Sequence, residues 1–149
     1  MSVVVGVSPT TGSPEALRWA AEEARLRSTA MRAVLAWRPP RAPAAPGGRP
    51  PATIVSAAGQ DHAAAAEERL RDFVTAALGR VGKVECVALR GTAVSSLLSA
   101  SGDAQLLVIG EPRPGRLASV RAGLVAPQVV LKARCPVVVM PRSASMPPS

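Results

Sequence analysis

"VVVGVSPTTGSPEALRWAAEEA", residues 3–24, decides how the chain is read. Val3 to Val7 form an apolar run rich in β-branched side chains. With no polar residue alternating through it, such a run suits a strand covered on both faces, as in a parallel sheet. Ser13 then reads as a helix N-cap, with Pro14 at the first helical position and Glu15 behind it. Leu17, Ala20, Ala21 and Ala24 fall on one apolar stripe. The stretch is therefore a strand followed by an amphipathic helix.

The same alternation runs down the chain. "AVLAW" (33–37) reads as a second strand. "RPPRAPAAPGGRPPA" (38–52) holds six prolines and two glycines and can form neither a helix nor a central strand. It is expected to be a mobile loop within one domain, because too little chain precedes it for a separate core. "AAAAEERLRDFVTAAL" (63–78) is a helix whose Ala66, Leu70, Phe73, Val74, Ala77 and Leu78 share a face, stopped by Gly79 or Gly82. "KVECVAL" (83–89) is a third strand. "GTAVSSLLSAS" (91–101) is a helix with Thr92 as N-cap and Val94, Leu97 and Leu98 inward. "AQLLVIG" (104–110) is a fourth strand, 125–133 a helix, and "CPVVVMP" (135–141) a fifth strand. The reading is a single α/β domain over residues 1–142 with a frayed tail at 143–149. Right-handed crossovers would give a parallel sheet with helices on both faces. Ligands of such sheets bind beyond the carboxyl ends of the strands, where the strand order reverses.

Composition narrows the function classes. The chain has 149 residues, 48% of them apolar, enough for one domain with a core. Its formal charge is +8, and 16 of its 18 basic residues are arginine. That balance fits an anionic partner or simply an arginine-rich surface. The aromatic residues are Trp19, Trp37 and Phe73, with none on a basic strand face, so nucleic-acid binding by stacking is not expected. No basic leader precedes Val3 and no apolar run reaches membrane-spanning length, which points to the cytoplasm. Cys86 and Cys135 lack close partners and are expected to be reduced and buried. They cannot form a zinc site with the lone His62 at any usual spacing, so no metal site is expected.

No catalytic constellation emerges. His62 is expected to face solvent at a polar helix start. Glu22 with Glu23, and Glu67 with Glu68, are neighbours that diverge on helices and read as solvated faces. The dinucleotide fingerprint is missing after the first strand, where "VGVSPTTG" offers only Gly6 and Gly12. "GEPRPGRL" (110–117) approaches a phosphate-binding loop, but Arg116 stands where lysine is needed and Leu117 where a Mg²⁺-binding hydroxyl is needed.

Almost the whole chain resembles the universal stress protein family. The resemblance rests on "VGVSPTTGSPEALRWAAEEA" (5–24), "LRGTAVSSLL" (89–98) and "ARCPVVVM" (133–140). It implies an adenine nucleotide alpha hydrolase-like fold with five parallel strands in order 3-2-1-4-5. It also implies a homodimer through the last strand, Val137, Val138, Val139 and Met140. Nucleotide-binding members carry glycine, two residues, glycine, nine residues, glycine, then serine or threonine. Here Gly110 and Gly123 keep the outer glycines, but Arg113 replaces the second glycine and Leu124 the hydroxyl. Ser8 stands where an acidic residue is expected after the first strand. By the resemblance, positions 113 and 124 touch phosphates and position 8 the adenine or ribose end. Gly6, Val7, Trp37, Ile109, Gly115, Arg116 and Val125 complete the candidate nucleotide contacts.

The departures have physical consequences. Glycine at 113 would let backbone approach a phosphate at positive φ, which arginine does not do cheaply. Leu124 removes a donor, and Pro112, Pro114 and Pro127 remove backbone N–H groups. Arg113, Arg116 and Arg121 supply charge and can grip a phosphate, without giving a Mg²⁺ contact. The expectation is a non-catalytic stress-response or signalling module with weakened or absent ATP binding. The alternative is a module that binds ATP, AMP or cyclic AMP, with weak ATPase activity resting on Glu111 as the only base near the loop.

Overall fold

Val3, Val4 and Val5 are fully buried, as expected of a strand covered on both faces. The computed structural model describes residues 1–39, 52–110 and 125–141. Its elements are β1 (Ser2–Gly6), α1 (Pro14–Leu26), β2 (Ala30–Trp37), α2 (Ala52–Leu78), β3 (Glu85–Arg90), α3 (Ala93–Ala100), β4 (Leu106–Gly110), α4 (Val125–Lys132) and β5 (Val137–Met140). The five strands form one parallel sheet in the order β3-β2-β1-β4-β5. The fold class is that read from the sequence pattern, and the strand order that implied by the family resemblance.

Alternation along the strands sorts the core into two layers. Val3 and Val5 join Leu17 and Ala20 of α1, and Leu70 and Val74 of α2, on one face. Val4, Val34, Leu107 and Ile109 join Leu97 of α3 and Val129 of α4 on the other. Helices α1 and α2 thus cover one side, and α3 and α4 the opposite side.

Arg32 lies inside β2 and needs an explanation. It donates to its register partner Glu85 at 3.1 Å and to the carbonyl of Ala100, at the end of α3, at 3.4 Å. The charge thus satisfies a helix end that lacks its own donors. Thr92 caps α3 as expected, accepting the Ser95 amide at 3.1 Å. Gly79, at φ +85°, is the glycine that terminates α2.

Some expectations change. Helix α2 starts at Ala52, eleven residues before the start expected at Ala63. His62 consequently lies within a helix rather than at its start, and is half-buried rather than solvent-facing. Leu98 is half-buried and belongs to neither core layer. Strand bounds shift by a few residues, and β2 extends back to Ala30. The proline-rich segment, apart from its ends, and the tail at 143–149 lie outside the described residues.

Candidate functional site

The strand order reverses between β1 and β4. From β1 the chain crosses to α1 on one face, and from β4 to α4 on the other. The carboxyl ends meeting there are Gly6 and Gly110, since Val5 pairs with Val108. This is the place where ligands bind in open α/β sheets.

Gly6 is required by packing. A Cβ there would lie 2.7 Å from Leu97 Cδ2 and 3.4 Å from Ile109 Cγ2. At Gly110 a Cβ would meet Ser13 Oγ at an ordinary 3.5 Å, so packing alone does not demand glycine.

The loop after β1 is internally satisfied. The Val7 amide donates to the Val34 carbonyl at 2.8 Å. The Ser8 amide donates to Ser13 Oγ at 3.0 Å. Ser8 Oγ accepts the amides of Thr10 at 3.2 Å and Thr11 at 3.4 Å, and shares a hydrogen bond with Thr10 Oγ1. The Gly12 amide closes the loop on the Ser8 carbonyl at 2.9 Å. An aspartate at position 8 could accept the same amides and also bring a charge. Ser8 does only the first.

Ser13 departs from its expected role. It precedes α1 but makes no side-chain cap bond, and it adopts φ 46°, ψ 53°. Its carbonyl accepts the Leu17 amide, while its hydroxyl is turned back to Ser8. An amide of the preceding loop has displaced the helix amide as its partner.

The other candidate residues divide between wall and rim. Val7 and Ile109 are buried in opposite core layers, so their side chains form walls. Trp37 is half-buried at the end of β2 against the α1–α2 layer, and its carbonyl accepts the Gly91 amide at 2.9 Å. Val125 is the half-buried first residue of α4. Arg113, Gly115, Arg116, Gly123 and Leu124 lie outside the described residues. Sequence reading missed Phe73 as a site neighbour: its ring covers Gly12, and no local pattern links residues so far apart in the chain.

Three of the four carboxylates that the sequence set aside are in surface pairs. Glu22 binds Arg25, Glu23 lies beside Arg27, and Glu67 binds Arg71. Surface concavities among the described residues lie between the ends of α3 and α4, lined by Leu98, Ser99, Gly102, Lys132 and Arg134, and on α2. Neither includes Gly6 or Gly110.

Cys86 and Cys135 are free, as expected, but half-buried rather than buried. Burial pushes both thiols above their ordinary range. Arg71 partly offsets this for Cys86, and a hydrogen bond to Ser101 does so for Cys135. Both should therefore alkylate slowly with iodoacetamide at pH 7 and speed up only above the ordinary thiol range. The folded state holds these protons more tightly, so stability should fall as pH rises through that range. Fast labelling of the native protein at pH 7 would contradict this.

The model of the universal stress protein family matches residues 1–141. The chain belongs to that family. Universal stress protein Rv2624c of Mycobacterium tuberculosis strain H37Rv is 31% identical over 151 residues, covering 99% of this chain and 51% of the relative. Universal stress protein Rv2028c of the same strain is 30% identical over 141 residues, covering 93% and 47%. The chain thus spans about half the length of the curated relatives it matches. A solved universal stress protein in complex with cAMP aligns with a TM-score of 0.64 at 21% identity, covering 96% of this chain and 98% of that one. The Archaeoglobus fulgidus universal stress protein aligns at 0.57 and 26% identity, covering 93% and 97%. An Arabidopsis thaliana family protein with AMP bound aligns at 0.55 and 16% identity, covering 100% and 97%.

Proposed function

We propose that this universal stress protein is a non-catalytic accessory module of stress response or signalling, with weakened or absent ATP binding at the β1–β4 switch point. The observation that carries this is Ser8. Its hydroxyl oxygen already accepts two amides of its own loop, and no carboxylate stands at the end of β1. A carboxylate there could take hydroxyl donors from a ribose, whereas this serine has little capacity left for one. By the family resemblance, Arg113 and Leu124 stand where a glycine and a hydroxyl residue would meet phosphates.

A second reading is supported by two solved family members, one holding cAMP and one AMP. A monophosphate needs fewer phosphate contacts and no bridging metal, so this groove suits AMP or cyclic AMP better than Mg²⁺–ATP. Calorimetric titration with the three nucleotides tests both readings. Micromolar ATP binding would defeat the first. Failure of AMP and cyclic AMP to bind would defeat the second.

The module is read as a cytoplasmic homodimer joined through β5. No helix among the described residues is long and apolar enough to cross a membrane. β5 is an edge strand with Val139 39% exposed, and an apolar edge invites pairing with a second copy. Sedimentation equilibrium at tens of micromolar is expected to show a dimer, and Val139→Lys a monomer. A wild type that sediments only as the 15.2 kDa monomer overturns the dimer.

A further inference from the structure

Ser13 sits between the loop after β1 and the carboxyl end of β4. It is 8% exposed and left-handed, a conformation uncommon for a residue with a side chain. Such a conformation persists where the surroundings over-determine it. Here the surroundings come from both sides. On the site side, Ser13 Oγ accepts the Ser8 amide at 3.0 Å and lies 3.5 Å from the position of a Cβ on Gly110. On the far side, Gly12 at φ +75° lies so close to α2 that a Cβ would fall 2.8 Å from Phe73 Cγ. The guanidinium of Arg69 lies over the same ring, 5.5 Å from its centroid.

We infer that Ser13 is a positioning residue of the nucleotide groove: held by Phe73 through Gly12, it fixes how closely the Ser8 loop approaches the end of β4. The inference rests on reading that groove as the nucleotide site. It links α2, which otherwise only covers the sheet, to the groove. The chain of neighbours is Phe73 beside Gly12, then Ser13, whose hydroxyl binds the Ser8 amide and faces Gly110.

Two variants test it. Ser13→Gly keeps the left-handed conformation accessible and removes the hydroxyl. Phe73→Leu keeps an apolar side chain and removes the ring. Native-state amide exchange reads the loop directly, because local opening reports on single hydrogen bonds. In Ser13→Gly the Ser8 amide should exchange about five- to tenfold faster, the loss of one ordinary hydrogen bond, with Val5 and Leu107 unchanged. In Phe73→Leu both Ser8 and Gly12 should exchange faster. The dissociation constants for AMP and cyclic AMP should rise by a similar factor in Ser13→Gly while its melting temperature holds. Unchanged Ser8 exchange overturns the pin. Faster exchange with unchanged nucleotide affinity overturns the positioning role. A wild type that binds neither nucleotide removes the functional reading and the positioning role with it, and the exchange result still decides the pin.

Discussion

Mg²⁺–ATP is expected to bind the wild-type chain with a dissociation constant of about 0.1 mM or weaker, at most about 5.5 kcal/mol of binding. The triple variant Ser8→Asp, Arg113→Gly, Leu124→Ser should bind at least about tenfold more tightly. Each change returns a missing group: a carboxylate at the end of β1, a glycine that lets backbone approach a phosphate, and a hydroxyl before α4. A hydrogen bond to a charged partner contributes about 1.5–3 kcal/mol. The three are read as parts of one site, so their gains should sum to less than the parts. Pro127 limits the recovery. It is the third residue of α4, where an N–H would otherwise be free to meet an anion. Calorimetry decides between the outcomes. Low-micromolar affinity in the wild type would mean that the arginines replace the lost groups, and the weakened-site reading falls.

Leu70→Ala is expected to lower stability by about 3 kcal/mol, within the usual range for truncating a buried leucine. Leu70 is fully buried in the layer formed by α1, α2 and the sheet, with Val74 one turn on. For a chain of this size the melting temperature should fall by about 6–12 °C. The exposed neighbour Thr75 is the control, where alanine should change stability by less than about 0.5 kcal/mol. A loss under about 1 kcal/mol at Leu70 would mean that α2 does not dock through this face.

Much of the fold is legible because β1, β4 and β5 are unbroken apolar runs and α1 and α3 begin at recognisable signals. Val3–Val5 and Leu106–Ile109 carry no polar residue, and only a doubly covered strand tolerates that. The first turns of α2 were not legible. "ATIVSAAGQD" follows a run of prolines and shows no apolar stripe, so neither a start signal nor a period marks it. At the site, Gly6 and Gly110 could be placed because strand ends and strand order locate them. Ser13 was misjudged for a physical reason. "SPE" is a local cap signal, but the Ser8 amide takes the hydroxyl, and that partner exists only once the loop is folded. The Phe73–Gly12 contact joins two helical turns' worth of local pattern to a distant loop, and no local periodicity encodes it.

The placement of β1 has a consequence for how the chain is made. Val3 pairs with Met31 on one side and with Leu106 on the other. β1 is therefore made before both of its neighbours, and its second flank is closed only when β4 is made. A nascent chain that has reached β3 can close one flank of β1, while the other stays open until Leu106 has been synthesised. A pause in that interval leaves an apolar, unpaired edge exposed in a crowded cell, where other unfinished chains can pair with it.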